Sequence, residues 1–238
     1  MQTSNTKKSV RKSLLSVLLI AALLITGVFA FLTATTETKV NTFTVGSIKI
    51  ELDEGPWDEF VDEDNDGIPD VAEEVVSGQI TEKAPSIKNV GSNDAYGFIA
   101  VSIPKAAEVV VADNNGVVST KTNHELFELL DAEGNPIALT VGTQVNGWTL
   151  KAIETDDVNL YNHYLFAYDS SIASSSASNT LFSSVRFANV TEEFSGNTAK
   201  ELVVKVSAYA IQKDADLTDV DTAQTALLND MGSWVPEI

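Results

Sequence analysis

Short segments in which apolar and polar residues alternate recur along most of the chain. They are rich in β-branched and aromatic residues, and turn sequences such as NNG at 114–116 and NG at 146–147 separate them. This pattern predicts strands at 42–52, 96–103, 109–111, 137–141, 148–153, 161–168, 185–187 and 201–211. Regular spacing of short strands predicts an all-β fold, an antiparallel β-sandwich of jelly-roll type.

Two segments have a helical rather than an alternating pattern. HELFELL at 124–130 predicts a short helix with an apolar face. Residues 219–228 predict a second helix, which follows a Thr/Asp cap and ends near Gly232. Residues 170–180 are rich in serine and poor in apolar residues, so we expect an exposed connection there.

The first thirty residues have the features of a signal peptide. An apolar run from Leu14 to Val28 follows a basic stretch, and Val28 and Ala30 occupy positions −3 and −1 of a possible cleavage site; the basic residues are Lys7, Lys8, Arg11 and Lys12. We expect signal peptidase to cleave after Ala30, leaving one β-sandwich domain over 31–238 with no stable membrane insertion. The alternative is an uncleaved membrane anchor, because the apolar run approaches the length of a span.

Charge and cysteine content narrow the possible functions. The chain has 15 basic and 34 acidic residues, and four of the basic ones lie in residues 1–30, so residues 31–238 carry a net charge of −23. Such a surface repels nucleic acid and anionic membranes and favours cations, so we expect no nucleic-acid partner. The chain has no cysteine, which excludes disulfides and thiol catalysis and leaves the core, a metal or partner subunits to stabilise a secreted domain.

Residues 53–84 interrupt the strand pattern with acidic residues, Pro and Gly, which indicates an insertion between two strands. Within this insertion, DEDNDGIPDVAE at 62–73 places carboxylates at loop positions 1, 3, 5, 9 and 12 and glycine at position 6. This spacing is typical of a Ca²⁺-binding loop. The predicted ligands are the side chains of Asp62, Asp64, Asp66, Asp70 and Glu73 and the backbone carbonyl of Ile68. The alternative is a solvated acidic linker.

Two other functions have candidate residues. HELFE at 124–128 gives only an HExxE pattern, so a secreted metalloprotease would need His124, Glu128 and the second histidine, His163, as zinc ligands. The favoured interpretation places His124 on an amphipathic helix and His163 at a surface or cross-strand position of a strand. A cell-surface adhesin or carbohydrate-binding module could use Trp57, Trp148 and Trp234 as a sugar platform, although buried packing is favoured for Trp148.

Several motifs follow one another along the chain in an order that a known protein family shares. They are GVFAFLTA at 27–34, TFTVG at 42–46, IKIEL at 48–52, PSIKNVGSNDAY at 85–96, GW at 147–148 followed by Tyr161 and Tyr164, TLFSSV at 180–185 and VSAYAIQ at 206–212. In this order they resemble the TasA/camelysin family of secreted proteins of Gram-positive bacteria, with its SipW-type signal region. The resemblance covers nearly all of residues 31–238. It implies jelly-roll architecture, biofilm-matrix fibres and a dedicated signal peptidase, whereas the calcium loop is an addition to the family pattern.

These observations together predict a secreted, non-catalytic subunit of an extracellular matrix or fibre, with Ca²⁺ as its cofactor. Residues 31–44 form an apolar, β-prone arm that cleavage would release. Such an arm can add as a strand to the sheet of another copy, which predicts a homo-oligomer or fibre. The alternative is that the arm is the first strand of its own sheet.

Overall fold

The computed structural model describes residues 47–61, 63, 75–113, 115–191, 195–198, 202–214, 216–231 and 234–235. Every described residue belongs to the unit Gly46–Ile238. The predicted signal peptide at 1–30 and the arm at 31–44 therefore lie outside the described residues. Among the residues that are described, no helix is long and apolar enough to cross a membrane.

Strands dominate the described part of the chain, which confirms the all-β prediction. The helical elements are a 3₁₀ helix, Gly55–Glu59, and one α-helix, α1, Val220–Met231. The strands are β1 Ile50–Asp53, β2 Ile80–Glu82, β3 Ser86–Asn89, β4 Ala95–Ala112, β5 Val118–Glu125, β6 Phe127–Leu130, β7 Gln144–Val145, β8 Trp148–Asp156, β9 Tyr161–Ile172, β10 Ser184–Phe187, β11 Ser195–Thr198 and β12 Lys205–Gln212.

Within the described ranges every strand pair is antiparallel, and the strands form three sheets. The large sheet has the order β11-β4-β9-β8-β7, and β5 and β12 also pair with β4. The small sheet has the order β2-β10-β6, and β1 pairs with β3. Strand β4 is thus the centre of the large sheet, since four other strands pair with it.

Strand β4 is buried on both faces, which explains its nearly continuous apolar sequence. Ile99, Val101 and Ile103 pack towards the small sheet, in a core that includes Phe127 of β6 and Val185 of β10. The alternate side chains of β4, among them those of Phe98 and Ala100, pack in a second core with residues of β9 and α1. The described part of the chain therefore has three layers, with the large sheet between the small sheet and the helix.

The helix predicted at 219–228 is confirmed as α1. The Asp219 carboxylate caps it by accepting hydrogen bonds from the backbone N–H of Thr222 at 2.8 Å and from its hydroxyl at 2.9 Å. On its inner face Ala223 and Leu227 are buried against the sheet. The helix is therefore held by a cap and by one apolar face.

The helix predicted at 124–130 is wrong, because this segment forms the end of β5 and the whole of β6. Phe127 and Leu129 are buried while Glu128 between them is exposed. That alternation fits the pairing of β6 with β10, where Phe127 lies opposite Phe187. Tertiary strand pairing thus overrides the apolar spacing that the sequence shares with a helix.

Two other local predictions need correction. Residues 137–141 form no strand, although Ile137 and Leu139 pack on the core from a loop and the Ile137 N–H bonds to the Leu129 carbonyl at 2.8 Å. Residues 170–180 begin within β9, and Ile172 and Ser178 in this segment are buried. Apolar spacing therefore predicted the wrong local structure at 137–141, and serine content predicted too much exposure at 170–180.

Candidate functional site

The predicted calcium ligands cannot be placed in the fold. Asp62, Asp64, Asp66, Ile68, Asp70 and Glu73 all lie outside the described residues. Among the residues that are described, no group of three or more His, Asp or Glu side chains is arranged to hold a metal ion. The calcium loop therefore remains a prediction from sequence, and the described geometry begins at the two ends of the insertion.

The two ends of the insertion meet at a set of contacts that we call the neck cluster: Glu54, Trp57 and Lys83. The Lys83 ammonium lies 2.6 Å from the Glu54 carboxylate and 4.2 Å from the centroid of the Trp57 ring. The Ala84 N–H also bonds to the Glu54 carbonyl at 2.9 Å. The two chain segments that flank the acidic insertion are therefore fixed to each other.

Burial and charge act in opposite directions on the lysine of the neck cluster. Only 3% of Lys83 is exposed. This burial lowers the pKa of Lys83 below its ordinary value, and the negative charges of Glu54 and Asp58 partly offset the effect. A buried ammonium with a contacting carboxylate and an aromatic face is a stable arrangement, so the neck cluster fits a structural role.

A second set of buried polar residues lies on β4 and β9, on the face of the large sheet towards the helix. The Ser102 hydroxyl and His163 Nδ1 are 2.8 Å apart, and both residues are completely buried. Their strands bring them directly opposite each other, and the Tyr161 ring stacks on the imidazole with a centroid separation of 6.2 Å. Burial lowers the pKa of His163, which favours the neutral ring.

The opposite face of β9 carries a different polar group. The Glu125 carboxylate at the end of β5 accepts hydrogen bonds from the Tyr164 hydroxyl and, at 2.7 Å, from the Asn162 amide. Burial and the Glu125 charge raise the pKa of Tyr164 well above its ordinary range. Tyr164 is therefore a neutral donor that fixes the end of β5 to the sheet.

A buried lysine lies near the same end of the large sheet. Only 1% of Lys105 is exposed, and its ammonium donates to the Asp157 carboxylate at 2.8 Å. Asp157 is itself largely exposed, so this ion pair reaches from the interior to solvent. The buried cation is thus paired with a carboxylate at the surface.

Ser102 and His163 are enclosed by the packed strands. A serine hydroxyl beside a histidine is the pair that nucleophilic catalysis needs. Ser102 and His163 are nevertheless completely buried between packed strands, so a substrate cannot reach the hydroxyl in this conformation. Their geometry fits a hydrogen bond that satisfies two buried polar side chains.

The geometry that the metalloprotease alternative needs is absent from the described residues. His124 and Glu125 end β5, whereas Glu128 lies in β6 and pairs with Arg186. An HExxE site requires these residues on successive turns of one helix, and extended backbone separates residues i and i+4 by roughly 13 Å. His163 lies on another strand, buried rather than at the surface, and its imidazole bonds to Ser102.

The tryptophans do not form a common sugar platform. Trp148 is completely buried, as predicted, and its indole N–H donates to the Asn179 carbonyl at 2.9 Å. Trp234 is 8% exposed and packs in the core under α1. Trp57 belongs to the neck cluster. Two of the three rings therefore lack the open face that stacking on a sugar requires.

Sequence reasoning missed Lys83, Ser102, Lys105 and Glu125 as structurally important polar residues. One signal was present for two of them. Ser102 and Lys105 interrupt the apolar sequence of β4, and a polar residue in a strand buried on both faces must find an internal partner. Lys83 and Glu125 carry no comparable signal, because charged residues are common in this acidic chain.

Comparisons with protein-family models, with characterised proteins and with solved structures gave no match for this chain.

Proposed function

We propose that this protein is a secreted, non-catalytic structural subunit of an extracellular matrix or fibre. Its acidic loop binds Ca²⁺, and its N-terminal arm pairs with a sheet of another copy. The observation that carries the proposal is the position of β1, which has one strand partner among the described residues and follows the arm by a few residues in the sequence. The resemblance of the sequence to the TasA/camelysin family supports the same function.

The start of the described chain is fixed to the domain by backbone contacts. The Lys49 carbonyl accepts from the Val90 N–H at 2.8 Å, and the Ser47 carbonyl accepts from the Ser92 N–H at 3.0 Å. A Cβ at Gly91 would lie 2.5 Å from the Ser47 carbonyl oxygen, so this close approach requires glycine. The arm therefore begins from a fixed point.

Strand β1 has one partner among the described residues, β3, with Ile50 opposite Asn89 and Asp53 opposite Ser86. The arm at 31–44 precedes this strand by a few residues only. A β-prone segment that continues from an edge strand is well placed to add to the sheet of a neighbour through main-chain hydrogen bonds. Repetition of that contact without closure produces a filament.

A structural role also agrees with the buried polar groups. Ser102, His163 and Lys105 each have a partner and are buried. Interior groups arranged in this way fix the position of strands rather than bind a substrate. The large negative charge opposes contact between subunits, so Ca²⁺ or added salt should promote assembly by neutralising or screening it.

Deletion of residues 31–41 tests the role of the arm. The deletion spares all the described contacts of Ser47, Lys49 and β1, so we expect a folded monomer that does not polymerise. Light scattering and electron microscopy of full-length mature and truncated proteins at matched concentration measure this. Equal fibre formation by the truncated protein would contradict strand donation. A truncated protein that fails to fold would show that the arm belongs to its own sheet.

Calorimetry tests the calcium loop. We expect one Ca²⁺ to bind with a Kd on the order of 10⁻⁴–10⁻³ M, the range of extracellular modules. Asp64→Ala combined with Asp66→Ala should abolish the binding heat, because it removes two ligands. The control combines Glu133→Ala with Asp230→Ala, which removes the same charge from exposed sites and should leave the heat nearly unchanged. Equal heats in both double variants would place the calcium site elsewhere.

A further inference from the structure

The buried imidazole of His163 lies in the middle of the molecule rather than at its surface. Its strand, β9, pairs with β4 on one side and with β8 on the other. His163 lies opposite Ser102 of β4 and opposite Glu154 of β8. Across β4 the next strand, β12, places Lys205 opposite Ser102. A change at His163 therefore acts on the pairing of four strands of the large sheet.

The imidazole has a hydrogen bond at one nitrogen only. Nδ1 is 2.8 Å from the Ser102 hydroxyl, and Nε2 is buried without a hydrogen-bond partner among the described residues. A neutral ring tolerates this arrangement, because one nitrogen carries no proton. An imidazolium carries a proton on both nitrogens, so Nε2 would then be a buried donor without an acceptor, in addition to a buried charge.

No charged group in the described part of the chain is a contacting counter-ion of the ring. On β8, Glu154 is exposed, and the Asp156 carboxylate already accepts from the backbone N–H groups of Val158 and Asn159. Their charges favour the protonated ring from a distance, whereas that of Lys105 on β4 opposes it.

Two further groups complete these surroundings. Lys205 on β12 places its ammonium 6.0 Å from the centroid of the Tyr161 ring, which stacks on His163. Asp157, beyond the end of β8, is the carboxylate partner of Lys105. The positive charge of Lys105 on β4 therefore adds to the cost of protonating His163.

We infer that His163 is an acid-sensitive element of the fold, whose protonation buries a charge, leaves the Nε2–H without an acceptor and weakens the pairing of β4 with β9 and β12. The effect is independent of assembly and of calcium binding, since it arises within one copy of the described domain. It would make the protein less stable in a mildly acidic environment than at neutral pH.

The direction of this effect follows from proton linkage. The pKa of His163 is lowered in the folded protein, mainly by burial, relative to the ordinary value of 6.5. The unfolded chain therefore binds the proton more readily than the folded chain does. Stability is fully present above pH 6.5 and is lost as the pH falls below it, until the folded pKa is reached.

The test is urea unfolding at pH 7.5 and pH 5.0 of the mature protein, of His163→Gln and of His124→Gln. His124 is the one other histidine in the chain; it is partly exposed, and burial lowers its pKa as well, so His124→Gln measures its own share of the acid response. We expect the unfolding constant of the mature protein to rise between the two pH values severalfold more than that of His163→Gln, which lacks the titrating ring. His124→Gln should retain most of the acid response.

A second measurement holds even if His163→Gln does not fold. An NMR titration of the mature protein follows the ring protons of both histidines, and we expect the His163 resonances to titrate below pH 6.5 or only as the protein unfolds. A reversible titration of His163 in the folded protein with a midpoint at or above 6.5 would overturn the inference. So would an equal acid response in the mature protein and in His163→Gln.

Discussion

Lys83 and His163 are both buried bases, but the protein accommodates them in different ways. Lys83 keeps a carboxylate in direct contact and an aromatic ring over its ammonium. His163 contacts a hydroxyl and a stacked ring, and no carboxylate among the described residues contacts it. The first arrangement suits a charged side chain and the second a neutral one, because a buried charge is tolerated only where it is paired.

This difference gives the two groups separate pH ranges of action. Burial lowers the pKa of both bases relative to their ordinary values of 10.5 and 6.5. Titration of Lys83 therefore changes the free energy of unfolding in alkaline solution. Titration of His163 changes it in mildly acidic solution. Substitutions at each site separate the two contributions.

The largest effect is expected for Lys83→Met. This change removes the cation and leaves the Glu54 carboxylate, with 17% of its side chain exposed, without its partner. Breaking a buried ion pair on one side costs about 3–5 kcal/mol, and the partial exposure of Glu54 places this case at the lower end. Urea unfolding at pH 7.5 measures the loss. A loss below about 1 kcal/mol would show that the neck cluster contributes little.

The double variant Lys83→Met with Glu54→Leu is the control for that prediction. It replaces both charges with apolar groups, so no unpaired charge is left in the neck. We expect it to recover more than half of the stability that Lys83→Met alone loses. A double variant that is less stable than the single one would indicate that the charges have a further partner.

An intermediate effect is expected for Ser102→Ala. The change removes the hydrogen-bond partner of His163 Nδ1 and leaves both ring nitrogens unsatisfied in the interior. Leaving a buried polar group without a partner costs about 1–3 kcal/mol. Unfolding at pH 7.5 gives the size of the loss. Ser184→Ala is the control, because it removes a hydroxyl from another buried serine, on strand β10.

The smallest effect is expected in alkaline solution. The folded protein holds the Lys83 proton less tightly than the unfolded chain, so stability rises with pH in the range below 10.5. The slope cannot exceed about 1.4 kcal/mol per pH unit for one group. Unfolding of the mature protein and of Lys83→Met between pH 8 and pH 10 measures it. Parallel pH profiles would show that Lys83 does not titrate in this range.

The sequence predicted the parts of the fold whose apolar pattern is long and local. The strands β8 and β9, both ends of β4 and the helix α1 follow from alternation or from a cap and an apolar face. The helix prediction for 124–130 fails because, over so short a length, its four apolar residues fit both the helical and the strand period. Its pairing with β10 is decided by residues far along the chain. Strand β5 was missed because its side chains are largely polar and exposed.

The buried polar groups were harder to predict, since the layer arrangement decides their burial. His163 lies among aromatic residues that alternate along a strand, and nothing local shows that both faces of that strand are covered. The covering helix comes from residues 220–231, some sixty residues later. The calcium ligands depend on spacing within one short segment, so they could be proposed from sequence alone, and they remain a prediction.

The central position of β4 has a consequence for the order of folding. Its second half, from Lys105, pairs with the nearby strand β5, where Lys105 lies opposite Glu125. Its first half must wait for β9 and β12, and Ala95 meets Gln212 from more than one hundred residues later in the chain. A chain that emerges from its N-terminus therefore exposes the apolar segment Tyr96–Ile103 until almost all of the domain is available. That interval makes folding slow and gives a holding chaperone an extended segment to bind.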